Sequence, residues 1–314
     1  MTSSTTTVDP AAGNTLRRDR PRLVDATVRV LLVAASLVSV ATTVGIVVAL
    51  VEPAIEFFGE INFTRFLTEK SWGPQFATPS YGIVPLLVAT VEITLIALII
   101  AIPLGLGSAI YLAEYASNRT RKVLKPILEL LAGVPTVVYG FIALAALSPL
   151  LRDNVPGFAG LEFQNMLVAG VAMGIMIVPT IASISEDAMA AVPRELRDGA
   201  FGLGASKLQV ATRIVIPAAV SGIVASYILA ISRAIGETMI VLIAAGGIAQ
   251  ITYDPREPAQ TMTAFIGATG LGDVPTGSLE YKTIFAVGLT LFVITFAMNI
   301  LSIRLVRKYR EIYE

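Results

Sequence analysis

The stretch PRELRDGAFGLGASKLQVATRIVIP, residues 193–217, decides the fold, because it is charged and amphipathic although long apolar stretches stand on both sides of it. Pro193 suits the first turn of a helix, where the backbone N–H that proline lacks has no partner. Gly202 and Gly204 suit a sharp helix end, because glycine accepts the left-handed conformation that such an end requires. Ser206 suits the position that caps a following helix. These residues predict a short amphipathic helix, a tight turn and a second helix that returns towards the apolar part of the chain.

The apolar stretches around this loop are long enough to cross a membrane, which takes about 20 mainly apolar residues in a helix. The chain of 314 residues is 55% hydrophobic and only 15% charged, whereas about a quarter of the residues in a soluble domain are charged. The sequence therefore predicts an all-α, polytopic membrane protein with six transmembrane helices. These helices are expected at about 28–51, 83–112, 123–151, 166–184, 218–247 and 284–303.

Basic residues indicate which loops face the cytoplasm. Of the 23 Lys and Arg residues, 17 lie at the two ends of the chain, in the loop between the second and third predicted helices, or in the loop between the fourth and fifth. Cytoplasmic loops carry an excess of Lys and Arg. Both termini are therefore predicted to be cytoplasmic, in a multi-pass protein of a bacterial or archaeal cell membrane.

The same pattern divides the chain into four parts. Residues 1–22 are rich in Ser, Thr and Arg and predict a disordered cytoplasmic tail. Residues 23–82 hold the first transmembrane helix and an extracytoplasmic loop. Residues 83–306 form the membrane core of five transmembrane helices, with the cytoplasmic loop at 185–217, and residues 307–314 form a second cytoplasmic tail.

The composition excludes several kinds of chemistry. The chain has no cysteine and no histidine, which removes thiol nucleophiles, the usual metal ligands and the usual general base at neutral pH. Equal numbers of basic and acidic residues, 23 each, give no argument for nucleic acid binding. No phosphate-binding loop of the form G-x-x-x-x-G-K-[ST] is present. We therefore expect no cofactor and no enzyme activity, and any ATP hydrolysis would belong to another chain.

Two charges lie inside the fifth predicted transmembrane helix, at Arg233 and Glu237. A charge at this depth costs about 2.5–3.5 kcal/mol on insertion scales. Residues four apart share a helix face, so the two can pair. The planar guanidinium offers several donors that suit a tetrahedral oxyanion, and Ser232 and Thr238 could add hydroxyl donors. These residues predict a substrate path, while an ion pair that only locks two helices together remains an alternative.

The loop at 185–217 resembles the permease loop of binding-protein-dependent ABC importers, which has the form E-A-A, three residues, G, nine residues, I-x-L-P. The corresponding residues here are Asp198-Gly199-Ala200, Gly204 and Ile214 to Pro217, with Asp for Glu, Gly for the first Ala and Ile for Leu as departures. In that family the loop forms a coupling helix that sits in a cleft of the ATPase subunit. The alternative is a helix lying on the bilayer surface, although its mixed charge argues against this. The resemblance implies contact with a cytoplasmic P-loop ATPase dimer through Glu195, Asp198, Gly199, Ala200 and Gly204.

Further segments resemble the phosphate-specific transport permeases, and among them the C-type subunit. The segment Arg233 to Thr238 matches their R-A-x-G-E-T, and LAGVPTVVYG at 131–140 is similar to their G-V-P-S-V-V-Y-G. The regions 83–115 and 186–193 are also similar to the corresponding parts of these permeases.

This resemblance implies the fold of a type I ABC importer permease, the MetI-like fold. It also implies that Arg233 and Glu237 serve the passage of inorganic phosphate. The implied partners are an A-type permease that completes a heterodimer, an ATPase dimer and an extracytoplasmic phosphate-binding protein.

Two rival functions remain open from the sequence. One is a permease for another tetrahedral oxyanion, such as sulfate or molybdate. The other is a self-contained ion-coupled carrier, in which Glu92 in the second predicted helix and the Arg233–Glu237 pair would relay ions. The carrier would leave the loop at 185–217 without a purpose.

Overall fold

The computed structural model describes residues 22–309, with side chains for residues 25–304. The described chain divides into two compact units, one that ends at residue 49 and one that begins at residue 50. The predicted tails at 1–22 and 307–314 lie almost entirely outside the described residues, and the predicted domain boundaries stay predictions. In the first unit the described chain is helical, and nearly all side chains from residue 25 to residue 49 are exposed.

The elements in chain order are almost all helical. The first part contains α1 (Arg22–Glu60), α2 (Phe63–Thr68), a two-stranded antiparallel ribbon of β1 (Trp72–Gly73) and β2 (Ser80–Tyr81), and α3 (Val84–Ile110), which continues as a π-helical turn over Tyr111–Tyr115. The middle part contains α4 (Asn118–Ala132), α5 (Thr136–Ile142), α6 (Ser148–Asn154), α7 (Met166–Ala190) and α8 (Arg194–Gly202). The last part contains α9 (Lys207–Val210), α10 (Ile216–Ala218), α11 (Val220–Ile235), α12 (Met239–Ala244), α13 (Met262–Leu271) and α14 (Leu279–Tyr309).

Within the described residues, five helices are long and apolar enough to cross a membrane. They lie at Asp25–Glu60, Val84–Tyr115, Thr136–Asn154, Met166–Ala190 and Leu279–Arg304. A sixth crossing exists if Lys207–Ala218 and Val220–Ile235 form one span, which bends by 72°. The predicted all-α class is confirmed, and the predicted six spans are reached by counting this bent pair as one.

The third predicted helix, at 123–151, is wrong as a continuous element. The helix ends at Ala132, and a new one starts at Thr136 after the break at Gly133, Val134 and Pro135. Proline lacks an N–H and disfavours the helical conformation in the residue before it. The apolar stretch long enough to cross begins at Thr136, and α4 is a separate amphipathic helix without buried residues.

Two other predicted boundaries differ from the structure. Helix α1 runs on to Glu60, so part of the loop expected from residue 52 is helical. The fifth predicted helix, at 218–247, is interrupted between Ile235 and Met239, where Gly236 forms the end of α11.

The core lies between α3 and α7, which approach each other closely at glycines. A Cβ added at Gly170 would come within 2.5 Å of Ile96 Cγ2, and one at Gly174 within 2.9 Å of the Ala97 carbonyl oxygen. Small residues permit such close crossing of helices in membranes. The face of α7 that carries Gly170 and Gly174 therefore packs against α3 and holds the two helices in a fixed register.

Candidate functional site

Arg233 lies in the last turn of α11 and faces the middle of α7. Its Nη1 donates to Thr180 Oγ1 over 3.4 Å, and its Nη2 lies 3.9 Å from Met176 Sδ. Thr180 is the fifteenth residue of the 25-residue helix α7, about 21 Å from its start at a rise of ~1.5 Å per residue. Arg233 is half-buried, and its guanidinium lies level with the middle of α7.

Glu237 does not pair with Arg233, contrary to the expectation from their spacing. Its carboxylate accepts hydrogen bonds from the backbone N–H groups of Met239 over 3.0 Å and Ile240 over 3.3 Å. The helix ends at Ile235, so the residues no longer share one helical face. In the described part of the chain no ion pair joins the two side chains, and the Glu237 carboxylate instead accepts from the first N–H groups of α12, where acidic groups are favourable.

The two hydroxyl residues of the predicted path differ in their contacts. Ser232 Oγ is buried and has no hydrogen-bond partner among the described residues, whereas Thr238 Oγ1 donates to the Gly236 carbonyl over 3.4 Å. A buried hydroxyl without a partner is unusual, since nearly all such groups are satisfied. Ser232 therefore carries an unsatisfied hydroxyl one residue before Arg233 in the last turns of α11.

Three residues near the helix breaks were not predicted from the sequence. Thr180 contacts the guanidinium, Thr263 Oγ1 donates to the Glu237 carbonyl over 2.6 Å, and Tyr139 Oη donates to the Leu131 carbonyl over 2.9 Å. The threonines carry no sequence signal, because single hydroxyls are common in apolar helices. Tyr139 lies in the motif at 131–140, but only the structure shows its hydrogen bond to the Leu131 carbonyl.

The α4–α5 break lies next to the α11–α12 break, because α5 packs against α12. A Cβ added at Gly140 would come within 3.2 Å of Ile240 Cα and of Ile243 Cβ, so the two backbones nearly touch. The motif at 131–140 therefore provides a kinked segment that contacts the helix capped by Glu237.

The predicted helix–turn–helix at 193–217 is confirmed. Helix α8 follows Pro193 and ends at Gly202, and Gly204 adopts a left-handed φ of 86°. Ser206 forms a capping box with Gln209, in which each residue's side chain bonds the other's backbone N–H.

The residues predicted to contact an ATPase form an accessible surface on and after α8. Glu195, Asp198, Gly199 and Gly204 are exposed, and Ala200 is partly exposed. Apolar side chains accompany them, since Phe201 and Leu203 are exposed as well. The surface is thus available to a partner and combines charged and apolar groups.

Arg197, which the sequence analysis did not place in the site, fixes α8 to the rest of the chain. Its guanidinium forms an ion pair with Glu114 at 3.2 Å and donates to the carbonyls of Val192 over 2.6 Å and Met189 over 2.7 Å. Both charged side chains are largely buried. Helix α8 is therefore attached to the ends of both α3 and α7.

A second ion-pair cluster lies at the base of α7 and joins it to α4. The Glu186 carboxylate is completely buried and pairs with Arg121 and, at 2.7 Å, with Lys125, which also pairs with Asp187 at 2.6 Å. The hydrogen bonds from Lys125 to Asp187 and then to Glu186 raise the pKa of the lysine ammonium. The cluster is electrically neutral, with two cations and two carboxylates.

The family model for the binding-protein-dependent transport system inner membrane component matches residues 101–311 of this chain. The probable ABC transporter permease protein YqgH of Bacillus subtilis is 34% identical over 286 residues, which cover 90% of this chain and 91% of that protein. The phosphate transport system permease protein PstC of Mesorhizobium japonicum is 35% identical over 271 residues, 80% of each chain.

Solved structures have the same fold. A chain of a bacterial ABC transporter involved in the import of the acidic polysaccharide alginate aligns with a TM-score of 0.62, at 16% identity, over 92% of this chain and 100% of that one. A chain of the MetNI methionine ABC transporter, in an inward-facing conformation, aligns with a TM-score of 0.53, at 18% identity, over 73% of this chain and 95% of that one. The chain therefore belongs to the family of binding-protein-dependent transport system inner membrane components.

Proposed function

We propose that this chain is the C-type transmembrane permease subunit of an ATP-driven, binding-protein-dependent importer of inorganic phosphate. Relatives named as phosphate transport system permease proteins are 30–35% identical over about four fifths of the chain, and they support this substrate. The chain has no phosphate-binding loop for ATP, so the energy comes from a separate ATPase subunit.

The observation that carries the proposal is that Arg233 has no carboxylate partner in the described part of the chain. Its contacts there are a threonine hydroxyl and a methionine sulfur. An ion pair that only locks helices together would neutralise the guanidinium, whereas this one keeps its charge and donors available. Hydrogen bonds from a guanidinium to an oxyanion are strong and geometrically specific. The buried Ser232 hydroxyl, which has no partner among the described residues, lies one residue earlier in α11 and offers a further donor for the anion.

The partners follow from the family and from the exposed surface at α8. We infer that a second, A-type permease completes the translocation path, that a cytoplasmic ATPase dimer contacts Glu195, Asp198 and Gly199, and that an extracytoplasmic phosphate-binding protein delivers the anion. In this arrangement the loop at 185–217 and both termini face the cytoplasm of a bacterial or archaeal cell, as the distribution of basic residues indicates.

Transport then depends on an alternation between two arrangements of the permease pair. ATP binding and hydrolysis move the docked helix α8, which is attached to α3 and α7 through Arg197. Rigid-body movement of this kind exposes a central site to one side of the membrane and then to the other. Arg233 holds the phosphate while the permease pair changes from the outward-open to the inward-open arrangement. Closure of the outward opening then prevents the phosphate from going back.

Uptake of radiolabelled phosphate into proteoliposomes that contain the complete transporter tests the proposal. Arg233→Gln should reduce uptake about tenfold or more, because hydrogen bonds to charged groups are worth about 1.5–3 kcal/mol. Arg233→Lys keeps the charge without the planar fork and should retain part of the uptake. Basal ATPase activity and co-purification of the subunits should remain unchanged in both variants.

Two outcomes would contradict the proposal. Undiminished phosphate uptake by Arg233→Gln would remove the site assignment. If the unaltered transporter took up no phosphate but did take up sulfate or molybdate, the substrate would be another oxyanion.

A further inference from the structure

The ion-pair cluster of Arg121, Lys125, Glu186 and Asp187 joins two elements that are distant in sequence. It connects α4 to the last turns of α7 over 61 and 62 residues, through the two contacts of Lys125. The Glu186 side chain has no exposed area, whereas Asp187 is 62% exposed. A buried carboxylate is tolerated only with good partners, and removing one partner leaves a charge stranded. Glu186 is therefore the residue that makes the junction between α4 and the end of α7 rigid.

On one side the junction continues directly into the helix that an ATPase would contact. Only three residues separate the end of α7 at Ala190 from the start of α8 at Arg194. Arg197 closes this corner by donating to the carbonyls of Met189 and Val192. Helix α8 and the base of α7 are thus one tightly bonded unit.

On the other side the junction leads through α4 to the break at 133–135 and on to α5. The Tyr139 hydroxyl spans this break by its hydrogen bond to the Leu131 carbonyl. Gly140 of α5 lies against Ile240 in the first turn of α12, whose backbone N–H groups are held by Glu237. A continuous series of contacts therefore runs from α8 to the break beside Arg233.

We infer that Glu186, held by Arg121 and Lys125, is a positioning residue that makes α4 move with the coupling helix α8. A displacement of α8 is then transmitted to the kinked α4–α5 segment and to the break between α11 and α12. The inference rests on the proposed function, since it concerns how ATP hydrolysis reaches the substrate path. It adds a second route to the contact of the loop at 185–217 with the ATPase, and it gives the amphipathic helix α4 a role.

The first test measures coupling in proteoliposomes with the second permease, the ATPase and the phosphate-binding protein. Glu186→Gln keeps the shape of the side chain and removes its charge, and Asp187→Asn is the matched control at the exposed neighbour. We expect the phosphate transported per ATP hydrolysed to fall by about two- to thirtyfold in Glu186→Gln, the range found for residues along coupling networks. Asp187→Asn should stay near the unaltered value, since exposed ion pairs contribute little. Basal ATPase activity should persist in both, which separates lost coupling from lost assembly.

The second test does not depend on the stability of a charge variant. The chain has no cysteine, so spin labels at Lys122→Cys on α4 and Ala190→Cys at the end of α7 report one distance in the assembled transporter. That distance should stay constant between the ATP-free and ATP-bound transporter. A change beyond the about 1–2 Å of ordinary helix shifts would overturn the inference, as would an unaltered ratio of phosphate to ATP in Glu186→Gln.

The two proposals can fail separately. A transporter for a different anion would show no phosphate uptake even without substitutions, yet the label distance would still test whether α4 follows α8.

Discussion

At the scale of single residues, Glu237 stabilises the start of α12, a role that its spacing of four residues from Arg233 does not predict. Its carboxylate satisfies two backbone N–H groups that begin α12, in an apolar segment of the chain. Unsatisfied backbone donors are costly where water is absent. The residue therefore allows the helix to break after Ile235 without leaving these backbone N–H groups unsatisfied.

This capping role predicts different effects for two substitutions of Glu237. Glu237→Ala removes the acceptor for two first-turn N–H groups and should destabilise the purified subunit by about 1 kcal/mol, a typical cost of a lost capping side chain. Glu237→Gln keeps an oxygen acceptor in the same place and should lose much less. Thermal unfolding in detergent distinguishes the two. Equal losses in both variants would mean that the charge, rather than the cap, is what matters.

Gly204 is a second residue whose backbone decides a local structure. Its φ of 86° is unfavourable for residues with a Cβ, by about 1–2 kcal/mol. Gly204→Ala should therefore strain the turn after α8 and weaken co-purification of the ATPase. Gly202→Ala is the matched control, because a Cβ there meets nothing within 4 Å and the φ is not left-handed. Equal ATPase recovery with both variants would contradict the importance of this turn.

At the scale of elements, the register of α3 on α7 depends on glycines in the contact. A Cβ at Gly174 would meet the Ala97 carbonyl oxygen at 2.9 Å, and backbone cannot move aside as a flexible side chain can. Gly174→Ala should therefore destabilise the subunit by about 1–3 kcal/mol, as overpacking does.

Gly107 provides the control for this prediction, since it lies in α3 and a Cβ there meets nothing within 4 Å. Gly107→Ala should be neutral or stabilising, because alanine loses less backbone entropy on folding. The measurement is thermal unfolding of each variant in the same detergent. An unaffected Gly174→Ala variant would show that the two helices can separate without cost.

At the scale of the whole molecule, the orientation in the membrane is a prediction from the basic residues. The absence of native cysteine makes single-cysteine variants informative. Tyr253→Cys lies in an exposed loop and should react with a membrane-impermeant maleimide added to intact cells. Leu203→Cys, in the exposed turn after α8, should react only after the membrane is permeabilised. The reverse pattern would invert the proposed orientation and place α8 away from any cytoplasmic ATPase.

The sequence by itself determined the features that depend on neighbours along the chain. Apolar length predicted the membrane helices, and the order of Pro193, Gly204 and Ser206 predicted the helix–turn–helix, because capping and turn preferences act within a few residues. The charge inside an apolar stretch also predicts a substrate path at Arg233, and this assignment stays a prediction.

Only the tertiary structure decided which distant groups meet. Arg233 contacts Thr180 across 53 residues, and Lys125 contacts Glu186 across 61, distances at which local spacing carries no information. The break at Gly236 also changed which residues share a face, so the expected Arg233–Glu237 pair did not form. Long-range partners depend on how the broken helices pack together, and that packing is a property of the folded chain as a whole.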